Sequence, residues 1–269
     1  NGNGYWLRFN NAGSTTISGD PISELMVTLS EDWNLISGIT ETIDLNVISD
    51  PDGIIVSGTL YGFNGTYTQA GSLEPGKGYW LRATDPGQIV LTSARAGEEI
   101  NVSDQSRLSS VTEQVGFVLS LNASVPSGDE YEMQFGFLKD VSDGYDRGFC
   151  SDKSQLGYGS CVLAGGTWLG DQFAPPAPPL GTFDAALVWN DDRHYSQILD
   201  GNYSNGGVIH QYDIAIQYGK DNQVTLSWNN KVLSGYLDAC LLQDQYGGEM
   251  VSVDMLKESS ITIENPNIV

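Results

Sequence analysis

Along this chain, apolar and polar residues alternate in short stretches with a period of two, and turn residues separate the stretches. Phe117-Val-Leu-Ser-Leu121, Tyr131-Glu-Met-Gln-Phe-Gly-Phe137 and Tyr212-Asp-Ile-Ala-Ile-Gln-Tyr218 place large apolar side chains on every second position, as a half-buried antiparallel strand requires. Residues 183–189, 223–228, 250–253 and 261–263 read as further strands. Residues 54–56, 60–61, 79–81 and 88–91 are shorter β-branched or aromatic runs bounded by Gly, Pro, Asp and Asn. Asp52-Gly53, Asn64-Gly65 and Pro75-Gly76 are turn dipeptides in which Gly supplies positive φ at little cost. No window sustains a 3.6-residue apolar period with caps. The prediction is an all-β chain.

Within that pattern lies an internal repeat. Gly2-Asn-Gly4-Tyr5-Trp6-Leu7-Arg8 recurs 74 residues later as Gly76-Lys-Gly78-Tyr79-Trp80-Leu81-Arg82, and Gly13 aligns with Gly87. Trp33-Asn-Leu-Ile36 opens the unit that the second copy closes. Subtracting the offset puts the counterpart of Trp33 before residue 1, so the chain is expected to open inside a repeat. The expected organisation is therefore residues 1–30 as the end of one β repeat, 31–95 as a complete module, and 96–269 as an antiparallel β-sandwich. Pro175-Pro-Ala-Pro-Pro179 is too proline-rich for a sheet interior and should cover an edge as polyproline.

Charge narrows the partners. With 12 Lys and Arg against 34 Asp and Glu in 269 residues, the net charge is −22. That balance argues against nucleic acid, whose phosphates need a basic face, and against docking on anionic lipid. No apolar run is long enough to insert in a membrane as a helix.

The candidate chemistry is sparse. Only His194 and His210 are present, and neither falls in a metal-binding pattern. There is no nucleophile elbow, phosphate loop or dinucleotide fingerprint, so the chain is expected not to be an enzyme. Cys150 and Cys161 flank a Gly/Ser-rich segment and are the expected disulfide; Cys240 reads as a buried thiol. Asp140, Asp143 and Asp146 surround a Gly turn and are the candidate calcium ligands, since calcium takes carboxylate and carbonyl oxygens. The competing reading is an Asx-rich loop that caps its own turns. The two Tyr-Trp pairs are expected to put one ring in the core and the next over the edge. Trp168, in Gly165-Gly-Thr-Trp-Leu-Gly170, is the aromatic expected to be exposed and available to a ligand such as a glycan.

The runs Gly4–Phe9, Trp33–Ile36, Tyr61-Gly-Phe-Asn-Gly-Thr-Tyr67 and Leu73-Glu-Pro-Gly-Lys-Gly-Tyr-Trp80 resemble a module of large secreted surface proteins of Bacteroidetes/Chlorobi-type bacteria, cargo of the type IX secretion system. Asp143-Gly-Tyr-Asp146, the proline run and Phe183-Asp-Ala185 resemble the β domain that follows such modules. The resemblance covers most of the chain and brings no catalytic residue with it. It implies an extracellular or cell-surface location and a structural or adhesive role, with partners that are further copies of the chain, other surface proteins, or glycans. Two features depart from the pattern: the family's C-terminal sorting domain does not follow, and residues of about 148–172 look inserted. The implied function is a non-catalytic surface segment, including a fibre subunit joined head to tail by strand addition. The alternative is a carbohydrate-binding module attached to a secreted hydrolase.

Overall fold

A computed structural model describes residues 2–7, 11, 13–14, 16, 18–93, 116–139, 141–142, 144–152, 154–155, 160–161, 164–201 and 209–264. The chain is all-β, as the alternation predicts, and it divides into two compact units, residues 1–110 and 111–269.

In the first unit, β1 (Glu24–Leu29) pairs antiparallel with the last strand, β8 (Gly87–Thr92). Between them, β2 (Asp32–Ser37), β4 (Tyr61–Phe63), β5 (Tyr67–Gln69) and β7 (Gly78–Ala83) form an antiparallel sheet in the order β2-β7-β4-β5. The short strands β3 (Ile43–Asp44) and β6 (Ser72–Leu73) pair across it. The alternation of β7 sends Tyr79, Leu81 and Ala83 inward to meet Val27, Leu29, Ile36, Leu73, Ile89 and Leu91 in one core. Each such aliphatic side chain removed from water stabilises the unit by roughly 1.5–3 kcal/mol before entropy is counted. Val27 and Leu29 of β1 belong to this core, so part of residues 1–30, expected to end a preceding repeat, packs in the same unit as residues 31–93.

The second unit is built on an eight-stranded sheet. Its strands are β9 (Gly116–Ser124), β10 (Glu130–Leu138), β13 (Gln172–Phe173), β14 (Asp184–Trp189), β15 (Asp192–Asp200), β16 (Asp213–Gln217), β17 (Val224–Trp228) and β20 (Ser260–Ile263). They run β16-β14-β15-β10-β9-β17-β20, with β13 also paired to β15. All the named pairings are antiparallel except β10 with β15. Two hairpins complete the unit: β11 (Phe149–Cys150) with β12 (Trp168–Leu169), and β18 (Leu241–Gln243) with β19 (Ser252–Asp254).

Two elements were not legible as patterns. β15 is buried on both faces, His194, Ser196 and Gln197 included, so it shows no alternation, yet it pairs with β10, β13 and β14. A short helix, α1 (Asn230–Tyr236), follows β17; Asn229 caps it by accepting the Lys231 N–H, and Leu233 is its one buried side chain. A single buried position produces no helical period. The proline run forms no strand. Arg193 Nη1 donates to the Pro175 carbonyl, and Gln217 Nε2 to those of Pro178 and Thr182. It covers the strands that carry those two side chains.

Candidate functional site

The disulfide-bearing excursion between β10 and β13 gathers most of the residues singled out above. Cys150 and Cys161 are joined, with Cα atoms 5.6 Å apart. Asp171 anchors the excursion to the sheet: its Oδ1 accepts the Ile198 N–H of β15 at 2.8 Å, and its Oδ2 accepts the Asp146 N–H at 2.8 Å. Ser196 Oγ donates to the neighbouring Gly170 carbonyl at 2.7 Å. Burial pushes the Asp171 carboxyl up to about 7, against the pull of the two N–H donors. Asp184, also buried, is pushed up to about 6 although the Arg193 guanidinium pairs with it.

Trp168 does not face solvent. It is 4% exposed, and its indole N–H donates to the Asp171 carbonyl. An added Cβ at Gly148 would overlap its ring, so the glycine exists to let the backbone lie against the indole. The expectation of an exposed ligand platform is thus corrected: packing against β11 leaves no open ring face for stacking.

Of the candidate calcium ligands, Asp140 and Asp143 lie outside the described residues. Asp146 Oδ2 accepts the Ser142 hydroxyl at 2.8 Å and also the Ser142 N–H, so this carboxylate caps its own turn. Among the described residues, no three His, Cys, Asp or Glu side chains are grouped to hold a metal. Cys240 is half-buried, its Sγ 3.5 Å from Met255 Sδ, and burial raises its thiol.

The repeated motif occupies two different environments. In β7, Tyr79 is 3% and Leu81 0% exposed. The aligned residues of the first copy, Tyr5 and Leu7, are 72% and 74% exposed. The first copy runs as a ribbon along the free edge of β2. Gly4 N–H donates to the Leu35 carbonyl and Ser37 N–H to that of Gly2, both at 2.8 Å. A Cβ at Gly4 would lie 2.7 Å from the Ile36 oxygen, so only glycine permits this approach. Trp6, between the two exposed residues, packs edge-on against Phe63 at 4.9 Å and Tyr67 at 6.5 Å, while Trp80 Nε1 donates to the Tyr67 hydroxyl. The sequence showed the repetition, but it contained no sign that the two copies differ in burial.

A concave surface lies in the second unit. A groove of about 630 Å³ runs beside β9 and α1, with Val118, Leu119, Trp228 and Val232 as its apolar lining and Ser, Asn and Lys231 around them. It was not anticipated, because β9 and α1 are far apart in sequence.

Compared with known protein families, characterised proteins and solved structures, the chain matches none.

Proposed function

We propose that this chain is a non-catalytic, extracellular structural or adhesive segment of a bacterial surface protein, built from β modules that join through strand surfaces. The observation that carries this reading is the pair of identical Gly-Tyr-Trp-Leu-Arg sequences, one buried as a strand and one presenting Tyr5 and Leu7 to solvent. A contiguous exposed Tyr-Trp-Leu run is costly to leave in water and marks an association surface. Support for the compartment comes from the disulfide, which persists in oxidising surroundings. No described helix is long and apolar enough to cross a membrane. The strongly acidic composition suits a segment that stays soluble at high local density.

Immunogold electron microscopy of intact source cells with an antibody to this chain tests the reading. Label on the surface or on extracellular fibres is expected. Label only after permeabilisation removes the proposal.

A further inference from the structure

We propose that Asn64, at the tip of the β4–β5 hairpin, is a site of spontaneous chemical modification that turns its side-chain amide into a carboxylate and loosens the seat of Trp6.

The sequence by itself does not select this residue. Attack of a main-chain nitrogen on the preceding Asn or Asp side chain is easiest where glycine follows, because no side chain hinders the approach. The chain holds four Asn-Gly pairs, beginning at Asn1, Asn3, Asn64 and Asn205, and three Asp-Gly pairs, beginning at Asp52, Asp143 and Asp200. Asn1, Asp143 and Asn205 lie outside the described residues. At three of the other four, the glycine amide is engaged. Gly4 N–H donates to the Leu35 carbonyl at 2.8 Å, Gly201 N–H to that of Leu138 at 2.8 Å, and Gly53 N–H to that of Asp50 at 3.3 Å. An amide held in this way must leave its acceptor before it can lose its proton and react.

At Asn64 no such opening is needed. Phe63 pairs with Tyr67, so Asn64, Gly65 and Thr66 form the loop between the strands. Asn64 and Gly65 are both exposed, and Gly65 sits at φ 93°, where glycine is unstrained. Among the described residues, no hydrogen bond engages the Gly65 amide or the Asn64 side chain; the loop's own bond runs from the Asn64 N–H to the Thr66 carbonyl at 3.1 Å.

The reaction needs only water. The Gly65 nitrogen, its proton taken by hydroxide, bonds to Asn64 Cγ; the Cγ–Nδ2 bond breaks, and ammonia leaves with a proton from solvent. Water then opens the cyclic imide. Attack at Cγ restores the ordinary backbone with an aspartate side chain. Attack at the main-chain carbonyl leaves the chain running through Cγ, an isoaspartate with an extra methylene in the backbone. Both products add a negative charge, but only the second lengthens the loop. Loop length fixes hairpin register, which here sets the Phe63 and Tyr67 rings 5.2 Å apart with Trp6 edge-on to both. Lengthening the loop therefore loosens Trp6 and the ribbon that carries it.

The test is timed incubation of the full chain at neutral and mildly alkaline pH, followed by digestion in acid and peptide mapping by mass spectrometry. In the folded protein Asn64 should convert about tenfold or more faster than Asn3, whose glycine amide must first break its bond to Leu35. Conversion should quicken as pH rises. In concentrated urea the two Asn-Gly pairs should convert at similar rates, since only the fold separates them. Equal conversion at Asn3 and Asn64 in the folded chain overturns the proposal, and so does an Asn64 that outlasts Asn3. An Asn64 found glycosylated in protein from source cells, within its Asn-Gly-Thr66 acceptor pattern, also overturns it. The Asn64→Asp variant carries the new charge without the extra methylene. Purified isoaspartate chains should exchange the Gly4 amide about tenfold faster than this variant; equal exchange would overturn the link to Trp6.

Discussion

Asp146 and Asp171 hold each other through two reciprocal hydrogen bonds: the Asp146 N–H donates to Asp171 Oδ2 at 2.8 Å, and the Asp171 N–H donates to the Asp146 carbonyl at 2.7 Å. The pair closes the neck of the disulfide-bearing excursion, and the second carboxylate oxygen of Asp171 ties that neck to β15 through Ile198.

This arrangement makes the second unit sensitive to pH. The native carboxyl of Asp171 titrates near 7, above its ordinary value of 3.8, because burial disfavours the charge. The native state therefore binds the proton more tightly than the unfolded chain, and stability falls as pH rises from about 4 to about 7. Asp184 acts in the same direction up to about 6. Thermal melts should show the second unit more stable at pH 5 than at pH 8. Asp171→Asn replaces one acceptor oxygen with a donor facing an N–H, costing about 1–3 kcal/mol at pH 5. Its deficit should shrink by pH 8, where the wild type carries a buried charge; a constant deficit would show that the titration is unimportant.

The Cys150–Cys161 bridge closes a loop of sequence separation 11. On chain-entropy grounds its loss should cost about 2–3 kcal/mol. The double Cys→Ser variant should melt lower than the oxidised protein by several degrees, at about 2–4 °C per kcal/mol for a unit of this size. Calorimetry with and without reductant checks this, and the double variant should not respond to reductant.

β14 and β15 are joined by Asn190 and Asp191, both at positive φ, 50° and 67°. That is a two-residue type I′ turn, whose second position favours glycine. Asp191→Gly should stabilise the unit by a few tenths to about 1 kcal/mol, whereas Asn190→Val should destabilise it by a similar or larger amount. Denaturant midpoints at constant slope report both.

Gly4 touches β2 too closely for any side chain. Gly4→Ala should lift the ribbon and free the Ser37 amide, which donates to the Gly2 carbonyl. Amide exchange at Ser37 should accelerate while the Leu81 amide in β7 keeps its protection. Unchanged exchange at Ser37 would mean the ribbon is held by Trp6 and not by its backbone bonds.

Much of the architecture could be read from local pattern. Alternation at 117–121 and 131–137 marked β9 and β10: every second side chain of β9 is buried, and in β10 Tyr131, Met133 and Phe135 are buried, although Gln134 between them is buried too. The cysteine spacing marked the disulfide, since a short Gly/Ser-rich loop lets its ends meet. The Asx-rich reading of Asp146 was also available locally, because its acceptors and donors lie four residues apart. What escaped was long-range. β15 buries polar side chains on both faces, and Ser196 finds its acceptor in the Gly170 carbonyl, 26 residues away, not in a neighbour in sequence. Trp168 sits among glycines, the usual company of an exposed loop, yet Gly148, twenty residues earlier, gives it a backbone to lie on. The two Tyr-Trp-Leu copies draw the line most sharply. Composition and periodicity are the same in both, and both are strand-forming. Burial depends on which other strands flank the residue, and those strands are chosen by the folding of the whole unit. The same tyrosine and leucine are therefore core in one place and surface in the other.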